Sequence, residues 1–308
     1  MSPNTGAPLT GGRVLVTGAS GMLGSQLLLD APPGFEAVGT DRSGRDDGPG
    51  LAATGYDLTD PAAIADLFDT HGPFVGVIHP AAYTAVDLAE EERDVAHKVN
   101  GDMAGLVADA CAQRGIPMVL VSTDFVFAGD GTRPYREDDP TDPQSVYGST
   151  KLEGERQALA AHPDGVAIAR TQWLYGPRGK HFPGTMLALA EQRDSLNVVH
   201  DQVGSPTSTL ELSPALWDLL RLGGRGIFHS ACEGQASWYE FAAATFELAG
   251  VSVSVSPCTT DEFPRPAKRP AYSVLDCARL GELRGARMAP WRDALSNFLR
   301  SEGRLAGA

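Results

Sequence analysis

Short apolar, β-branched runs alternate with helix-like stretches as far as about residue 171, and a glycine-spaced turn follows the first run directly. Together these predict an α/β protein with a doubly wound parallel sheet covered on both faces, followed by a smaller C-terminal α/β lobe. At 308 residues, 42% hydrophobic and 21% charged, the chain can bury the core such a fold needs. The first twelve residues, MSPNTGAPLTGG, have neither a basic start nor an apolar run, so they read as a flexible tail and not as a targeting signal. Nothing approaches eighteen consecutive apolar residues, which argues against a membrane span.

The elements follow in order. RVLVT (13–17) is a strand, GASGMLG a turn, and SQLLLD the start of a helix. FEAVGT (35–40) is a second strand ending at Asp41. Asp60-Pro61 supplies an N-cap and a first-turn proline for AAIADLFDT. FVGVIH (74–79) is a third strand, residues 91–115 one long helix, and PMVLVS (117–122) a fourth strand. A loop rich in Pro, Asp and Gly (129–144) leads to a helix beginning at SVYGSTKLEGE, then to the strand GVAIART (165–171). Beyond it come helices near 184–193 and 211–222, a loop HDQVGSPTS (200–208), a short strand GIFH (226–229), and a helix from Trp238. The last fifty residues carry no clear periodicity.

Charge narrows the function. A formal net charge of −14 argues against nucleic acid, which needs a clustered basic surface. Residues 261–308 run the other way, with nine Lys and Arg against six Asp and Glu, and offer a landing place for a phosphorylated ligand. Cys111, Cys232, Cys258 and Cys277 show no metal-ligand spacing and fit reduced thiols in a cytoplasmic protein.

Gly18, Gly21 and Gly24 are spaced G-x-x-G-x-x-G between a strand and a helix, at the head of the first β-α-β unit. Glycines there let backbone N–H groups and a helix N-terminus approach a pyrophosphate, so the turn predicts dinucleotide binding and a Rossmann-type sheet. The expected boundaries are 13–172 for the nucleotide domain, with segments near 200–230 returning to it, and 173–199 with 231–308 for the second lobe. Asp41, 17 positions after Gly24, is placed to accept hydrogen bonds from the adenosine ribose. Arg42 beside it suits the 2′-phosphate of NADP, so the pair predicts NADPH or NADH without a clear preference. Asp57 could reach the adenine, although DLTD (57–60) also reads as helix capping, a role that Asp60 fits better.

A nicotinamide site gives meaning to Tyr147 and Lys151, four positions apart on one side of a helix. Reduction of a carbonyl requires an acid for its oxygen. A tyrosine can serve if a nearby ammonium lowers its pKa, and Lys151 is within reach. Thr123, at the end of the fourth strand, is placed to hold the carbonyl, because ligands collect at the carboxyl ends of parallel strands.

TGASGMLG, VSTDFVF and VYGSTK, with Tyr147 24 positions after Thr123, resemble an extended short-chain dehydrogenase/reductase. AAYTAVDLAEEE, STDFVFAGDGTRPYREDDPTDPQSVYGSTKLEGE, RTQWLYGPRGKHF, VVHDQVGSPT, SWYEFA and PRPAKRP are similar, more narrowly, to the dTDP-4-dehydrorhamnose reductase family, from about residue 13 to residue 300. The resemblance implies NAD(P)H-dependent reduction of the C4 ketone of a dTDP-linked 4-keto-6-deoxy sugar by a monomer or homodimer. It implies Tyr147 as proton donor, Lys151 as its tuner and ribose ligand, and Thr123 on the ketone oxygen. Gly18, Ser20, Gly21, Met22, Leu23, Asp41, Arg42, Asp57, Leu58, Ala81, Ala82 and Tyr83 fall at its cofactor-lining positions. Thr84, Val86, Asp124, Phe125 and Trp173 fall near the sugar, with Trp173 offering an apolar face.

Arg265, Lys268 and Arg269 are candidates for the diphosphate, with Arg269 foremost, since guanidinium groups bind phosphate bidentately. Asp124 is followed by Phe125 where the related dehydratases carry a second acid, which argues against water elimination. Departures from the family pattern at His79-Pro80, Phe125, Gln172 and His181 are expected to bear on the sugar and not on the cofactor. His200 and Asp201 do not make a magnesium site, so no metal is expected. An epimerase of the same superfamily, a reductase of a non-nucleotide ketone, and a regulatory subunit that keeps the fold without turnover remain open alternatives.

Overall fold

The computed structural model describes residues 6–45 and 50–307. Strand β1 (Gly12–Thr17) leads into helix α1 (Met22–Leu29), followed by β2 (Phe35–Asp41), β3 (Ala53–Gly55), α2 (Pro61–His71) and β4 (Gly76–His79). Then come α3 (Arg93–His97), α4 (Met103–Arg114), β5 (Met118–Thr123), α5 (Val146–Ala161) and β6 (Val166–Thr171). The remainder holds β7 (Leu174–Tyr175), α6 (Phe182–Ala190), β8 (Ser195–Val199), β9 (Val203–Gly204), β10 (Thr207–Ser208), α7 (Thr209–Arg221) and β11 (Gly226–His229). It closes with β12 (Ala236–Ser237), α8 (Trp238–Ala249), β13 (Ser254–Cys258), α9 (Ala278–Arg284) and α10 (Trp291–Ser301).

Seven strands form one sheet in the order β11-β6-β5-β4-β1-β2-β3, every neighbouring pair parallel. The order reverses at β1, so β1 and β4 flank the switch point beside which ligands bind in such sheets. Burial on both faces explains the continuous apolar runs. Val14 and Val16 pack with Leu27, Leu216 and Trp217, while Leu15 packs on the other side with Leu67, Phe68 and Val107. Helix α7 belongs to the first of these layers, and its Trp217 Nε1 donates to the Leu27 carbonyl at 3.1 Å. A separate core around Tyr175, Leu196, Phe241 and Leu299 underlies the C-terminal segments.

Several expectations change. The long helix over 91–115 is interrupted: α3 passes through a π-helical turn at Lys98–Asp102 before α4 resumes, and α4 stops at Gly115 in the left-handed region. Residues 6–11, expected to be a loose tail, are tied to the end of α7 by Gly6 N–H to Gly223 O (2.6 Å) and Leu9 N–H to Arg221 O (2.8 Å). Residues 1–5 of that tail lie outside the described residues. The loop 200–208 contains β9 and β10, and 195–199 forms a strand paired with β13; none of these short strands was anticipated.

The aperiodic segment after β13 is an extended strap. Tyr272 N–H bonds Gly129 O (2.8 Å), Ser273 N–H bonds Val203 O (2.9 Å), and Tyr135 N–H bonds Val274 O (2.8 Å). It draws the 129–144 loop and the C-terminal half toward the carboxyl ends of the strands. Among the described residues no helix is long and apolar enough to cross a membrane, and the four cysteines are unbridged.

Candidate active site

The turn after β1 is built so that only glycine fits at two of its positions. Gly18 has φ +55°, and a Cβ there would lie 2.8 Å from Ala81 Cα; a Cβ on Gly24 would lie 2.1 Å from the Gly18 carbonyl oxygen. Gly21, at the N-cap of α1, makes no side-chain cap, which leaves the first N–H groups of the helix for an anion. This cradle fits a dinucleotide pyrophosphate.

Asp41 lies against the turn. Its carboxylate accepts from Ser20 N–H (3.2 Å), the Ser20 hydroxyl and Arg42 N–H (2.7 Å). Arg42 is exposed and donates its backbone N–H to Asp41, whereas Arg45, which sequence reasoning missed, donates from its guanidinium to the Ser20 carbonyl at 2.7 Å. Met22 is half-buried, and Leu23 and Leu58 have their side chains in the core, so only their backbone can face a cofactor. Asp57 accepts from Thr59 N–H (3.0 Å) and the Thr59 hydroxyl (2.7 Å), bonds that hold its carboxyl below the usual range, while Asp60 caps α2 through Ala62 N–H.

A run of polar contacts links this cradle to α5. Ala81 N–H donates to Thr17 Oγ1 (3.3 Å), which also bonds His79 Nδ1 (2.8 Å). Two residues on, Tyr83 N–H donates to Asn100 Oδ1 (2.8 Å), and Asn100 Nδ2 donates to Tyr83 O (3.1 Å) and to Thr150 Oγ1 on α5 (3.1 Å). Asn100 sits in the π turn that breaks the expected helix, a place where functional sites often widen a helix. Asn-Gly within a helical stretch was the available signal, since both are poor helix formers. The Tyr83 phenol points away to Glu92 (2.6 Å), which with burial pushes it up to about 12.

Helix α5 begins with two caps. Ser145 Oγ accepts from Gly148 N–H (3.1 Å), and Glu90 Oε1 accepts from Val146 N–H (2.8 Å), fixing the first turn on which Tyr147 lies. The Tyr147 ring meets Phe125 edge-on at 5.6 Å. Burial pushes its phenol up to about 12, a hydrogen bond with Thr123 pulls it down, and the Asp124 charge pushes it up. Lys151 Nζ donates to the Val121 carbonyl at 2.8 Å, and burial brings its ammonium down to about 8 against the opposing pull of Glu155. The Lys151 ammonium bonds the backbone of β5, and burial is the largest influence on the Tyr147 phenol.

On the sugar side, Asp124 is buried beside Thr123, whose hydroxyl donates to its Oδ1 at 3.0 Å. Desolvation pushes its carboxyl up to about 6, against hydrogen bonds with Ser273 and Thr123 that lower it. Phe125 lies between Tyr147 and the Arg269 guanidinium, the latter 5.9 Å from its ring. Arg269 Nη2 pairs with Asp87 at 2.9 Å, Lys268 donates to Gln144 (3.3 Å), and Arg265 is exposed over Phe263. Of the three expected cations, only Arg269 is thus placed against the Tyr147 cluster. Thr84 and Val86 form the turn leading from Tyr83, with Thr84 exposed and Val86 half-buried. Trp173 stands at φ +49°, and its ring stacks on Trp238 at 3.5 Å, which covers one of its faces.

The departures from the family pattern distribute unevenly. Phe125 touches Tyr147, Gln172 accepts from Ser205 N–H (3.0 Å), and His181 caps α6 through Gly184 N–H (3.1 Å). His79, expected to bear on the sugar, instead bonds Thr17 beside the glycine turn, where burial and the Lys151 charge bring it down to about 3 and keep it neutral. Asp201 accepts from Thr260 N–H (2.9 Å) and its hydroxyl (2.8 Å), and among the described residues no three metal-ligating side chains gather.

The family model described as the RmlD substrate binding domain matches residues 12–303. The chain belongs to the dTDP-4-dehydrorhamnose reductase family. A dTDP-4-dehydrorhamnose reductase of Streptomyces griseus is 42% identical, covering 92% of each chain. A dTDP-4-keto-6-deoxy-D-glucose reductase of Streptomyces niveus is 38% identical over 85% of this chain and 88% of its own. The crystal structure of a dTDP-4-dehydrorhamnose reductase from Bacillus anthracis in complex with NADP superposes with a TM-score of 0.87 at 35% identity, covering 95% of this chain and 100% of that one.

Proposed function

We propose that this protein reduces the C4 ketone of a dTDP-linked 4-keto-6-deoxyhexose with NADPH or NADH, as a step of deoxysugar biosynthesis. The observation that carries this reading is the convergence of Thr123, Tyr147 and Lys151 at the carboxyl end of β5. The Ala81–Tyr83–Asn100–Thr150 run ties that cluster to a glycine cradle shaped for a dinucleotide. The relatives named above are reductases of this sugar class, and one was solved with NADP.

Each residue has a part. The backbone of Gly18, Ser20 and Gly21 and the N-terminus of α1 would hold the pyrophosphate, with Asp41 toward the adenosine ribose, Ala81 and Ala82 along the wall, and Lys151 toward the nicotinamide ribose. When bound, the dihydronicotinamide supplies the hydride. Tyr147, still protonated at neutral pH because its phenol lies near 12, gives its proton to the ketone oxygen, and Thr123 holds that oxygen. Asp124, Phe125, Thr84, Val86 and the free side of Trp173 border the sugar, and Arg269 takes the diphosphate. Position 125 carries no proton donor, so water elimination lacks its second group.

The test is loss of the reduced cofactor's near-ultraviolet absorbance with dTDP-4-keto-6-deoxy sugars, followed by NMR of the product. A new C4 hydroxyl is expected. Tight cofactor binding without oxidation by any such sugar would instead support a regulatory role.

A further inference from the structure

The three-residue turn Leu88–Glu90, which follows the cofactor-lining segment, has a carboxylate at each end, Asp87 just before it and Glu90 as its last residue, and the two reach different partners. Glu90 receives the first N–H of the helix that carries Tyr147 (2.8 Å). Asp87 receives two donors from the strap: the Ala267 N–H at 3.2 Å and the Arg269 guanidinium at 2.9 Å. Arg269 in turn donates from Nη1 to the Ala267 carbonyl at 3.0 Å. Side chain and loop backbone are thereby fixed as one unit.

The pair is only partly covered, with side-chain exposures of 21% for Arg269 and 32% for Asp87. An exposed ion pair of this kind adds little stability. Its geometric effect is larger. A free arginine samples many rotamers and must be ordered when it grips an anion, whereas this one is already ordered beside Phe125, with guanidinium donors left over from the Asp87 and Ala267 bonds.

We infer that Asp87 is a positioning residue for substrate, holding Arg269 in the orientation that receives the diphosphate of the nucleotide sugar. The inference rests on the assignment of Arg269 to that diphosphate. Asp87 also offsets part of the Arg269 charge, which by itself would weaken anion binding. Orientation prevails because a bidentate grip depends on the planar fork being aimed, and a diphosphate draws on more than one cation.

The experiment is a double-mutant cycle read by calorimetric binding of dTDP to the cofactor-loaded full chain, using Asp87→Ala, Arg269→Met and the double variant, with NADPH affinity as control. Asp87→Ala should bind dTDP about three- to tenfold more weakly, the ordering cost of one long side chain, and Arg269→Met should lose at least as much because it removes the guanidinium itself. The double variant should be no weaker than Arg269→Met, because Asp87 acts through Arg269. Asp87→Glu should recover part of the loss, and NADPH affinity should stay within about twofold throughout.

Full additivity in the double variant, or an unchanged dTDP affinity in Asp87→Ala while Arg269→Met loses it, overturns the role of Asp87 and leaves Arg269 as the ligand. Unchanged affinity in Arg269→Met overturns both. A parallel loss of NADPH affinity in Asp87→Ala, uncorrected by Asp87→Glu, would make the residue a general structural support and also overturn the inference.

Discussion

Arg170 on β6 and Glu155 on α5 meet in a two-point ion pair, Nε to Oε1 at 2.9 Å and Nη2 to Oε2 at 2.7 Å, with side chains only 2% and 3% exposed. Ser122 donates to the same carboxylate, so one buried group joins β5, β6 and the helix that carries Tyr147 and Lys151. Removing one partner leaves an uncompensated charge in the core. Glu155→Gln is therefore expected to cost about 3–5 kcal/mol, whereas Glu155→Leu combined with Arg170→Met should recover most of that loss. Denaturant unfolding measures both, and a cost below about 1 kcal/mol for the single variant would contradict the account.

Tyr147→Phe keeps the edge-on contact with Phe125 and removes only the proton. Turnover should fall by about a hundredfold or more, the usual worth of a general acid, with cofactor affinity almost unchanged. Retention of most activity in stopped-flow reduction would reject Tyr147 as the donor.

Lys151 titrates near 8, well below an ordinary lysine. With Lys151 in its proposed role toward the nicotinamide ribose, reduction should slow as pH rises through about 8 and its ammonium is lost. The same group sets a stability trend of opposite sign. Between about 8 and the unfolded value near 10.5 the folded chain binds fewer protons than the unfolded one, so its burial penalty, full below that window, is relieved as pH rises. A pH–rate profile flat across this range would point to a different group.

Asp124 titrates near 6, above the ordinary carboxyl value of 3.8. The folded chain then holds a proton that the unfolded chain has released, so a penalty is present above about 6 and vanishes below the unfolded value. Asp124→Asn should raise stability at neutral pH by roughly 3 kcal/mol at most, and the gain should close near pH 4. Thermal melts of both chains across that range provide the check; a gain that is independent of pH would place the effect elsewhere. Sugar affinity should suffer in exchange, as stabilised sites commonly lose function.

Asp41→Ala should weaken NADH more than NADPH, because a 2′-phosphate draws on Arg45 or Arg42 while a 2′-hydroxyl draws on the carboxylate. Fluorescence titration of both cofactors decides it, and equal weakening would argue against a ribose role for Asp41.

Much of this was legible in the chain alone. The alternation of apolar runs gave the parallel sheet because both faces are buried, and the spacing of Gly18, Gly21 and Gly24 marked the cradle because only glycine tolerates those approaches. Tyr147 and Lys151 share a helix, so their proximity follows from periodicity. Glu90 and Arg45 were missed because their partners, Val146 and Ser20, are 56 and 25 positions away and nothing local marks them, while Asn100, 17 positions from Tyr83, was marked only by an Asn-Gly pair in a helical stretch.

What the sequence by itself determined is therefore the fold class, the glycine turn and the shared helix of Tyr147 and Lys151, all set by local spacing or by residue types that chemistry cannot replace. Only the tertiary structure decided which cation stands beside the site, where His79 and Trp173 point, and how Lys151 spends its hydrogen bond. Those outcomes depend on burial and on partners brought together by folding. Desolvation and long-range contacts act on the packed molecule, and neither is written in the order of residues along a segment.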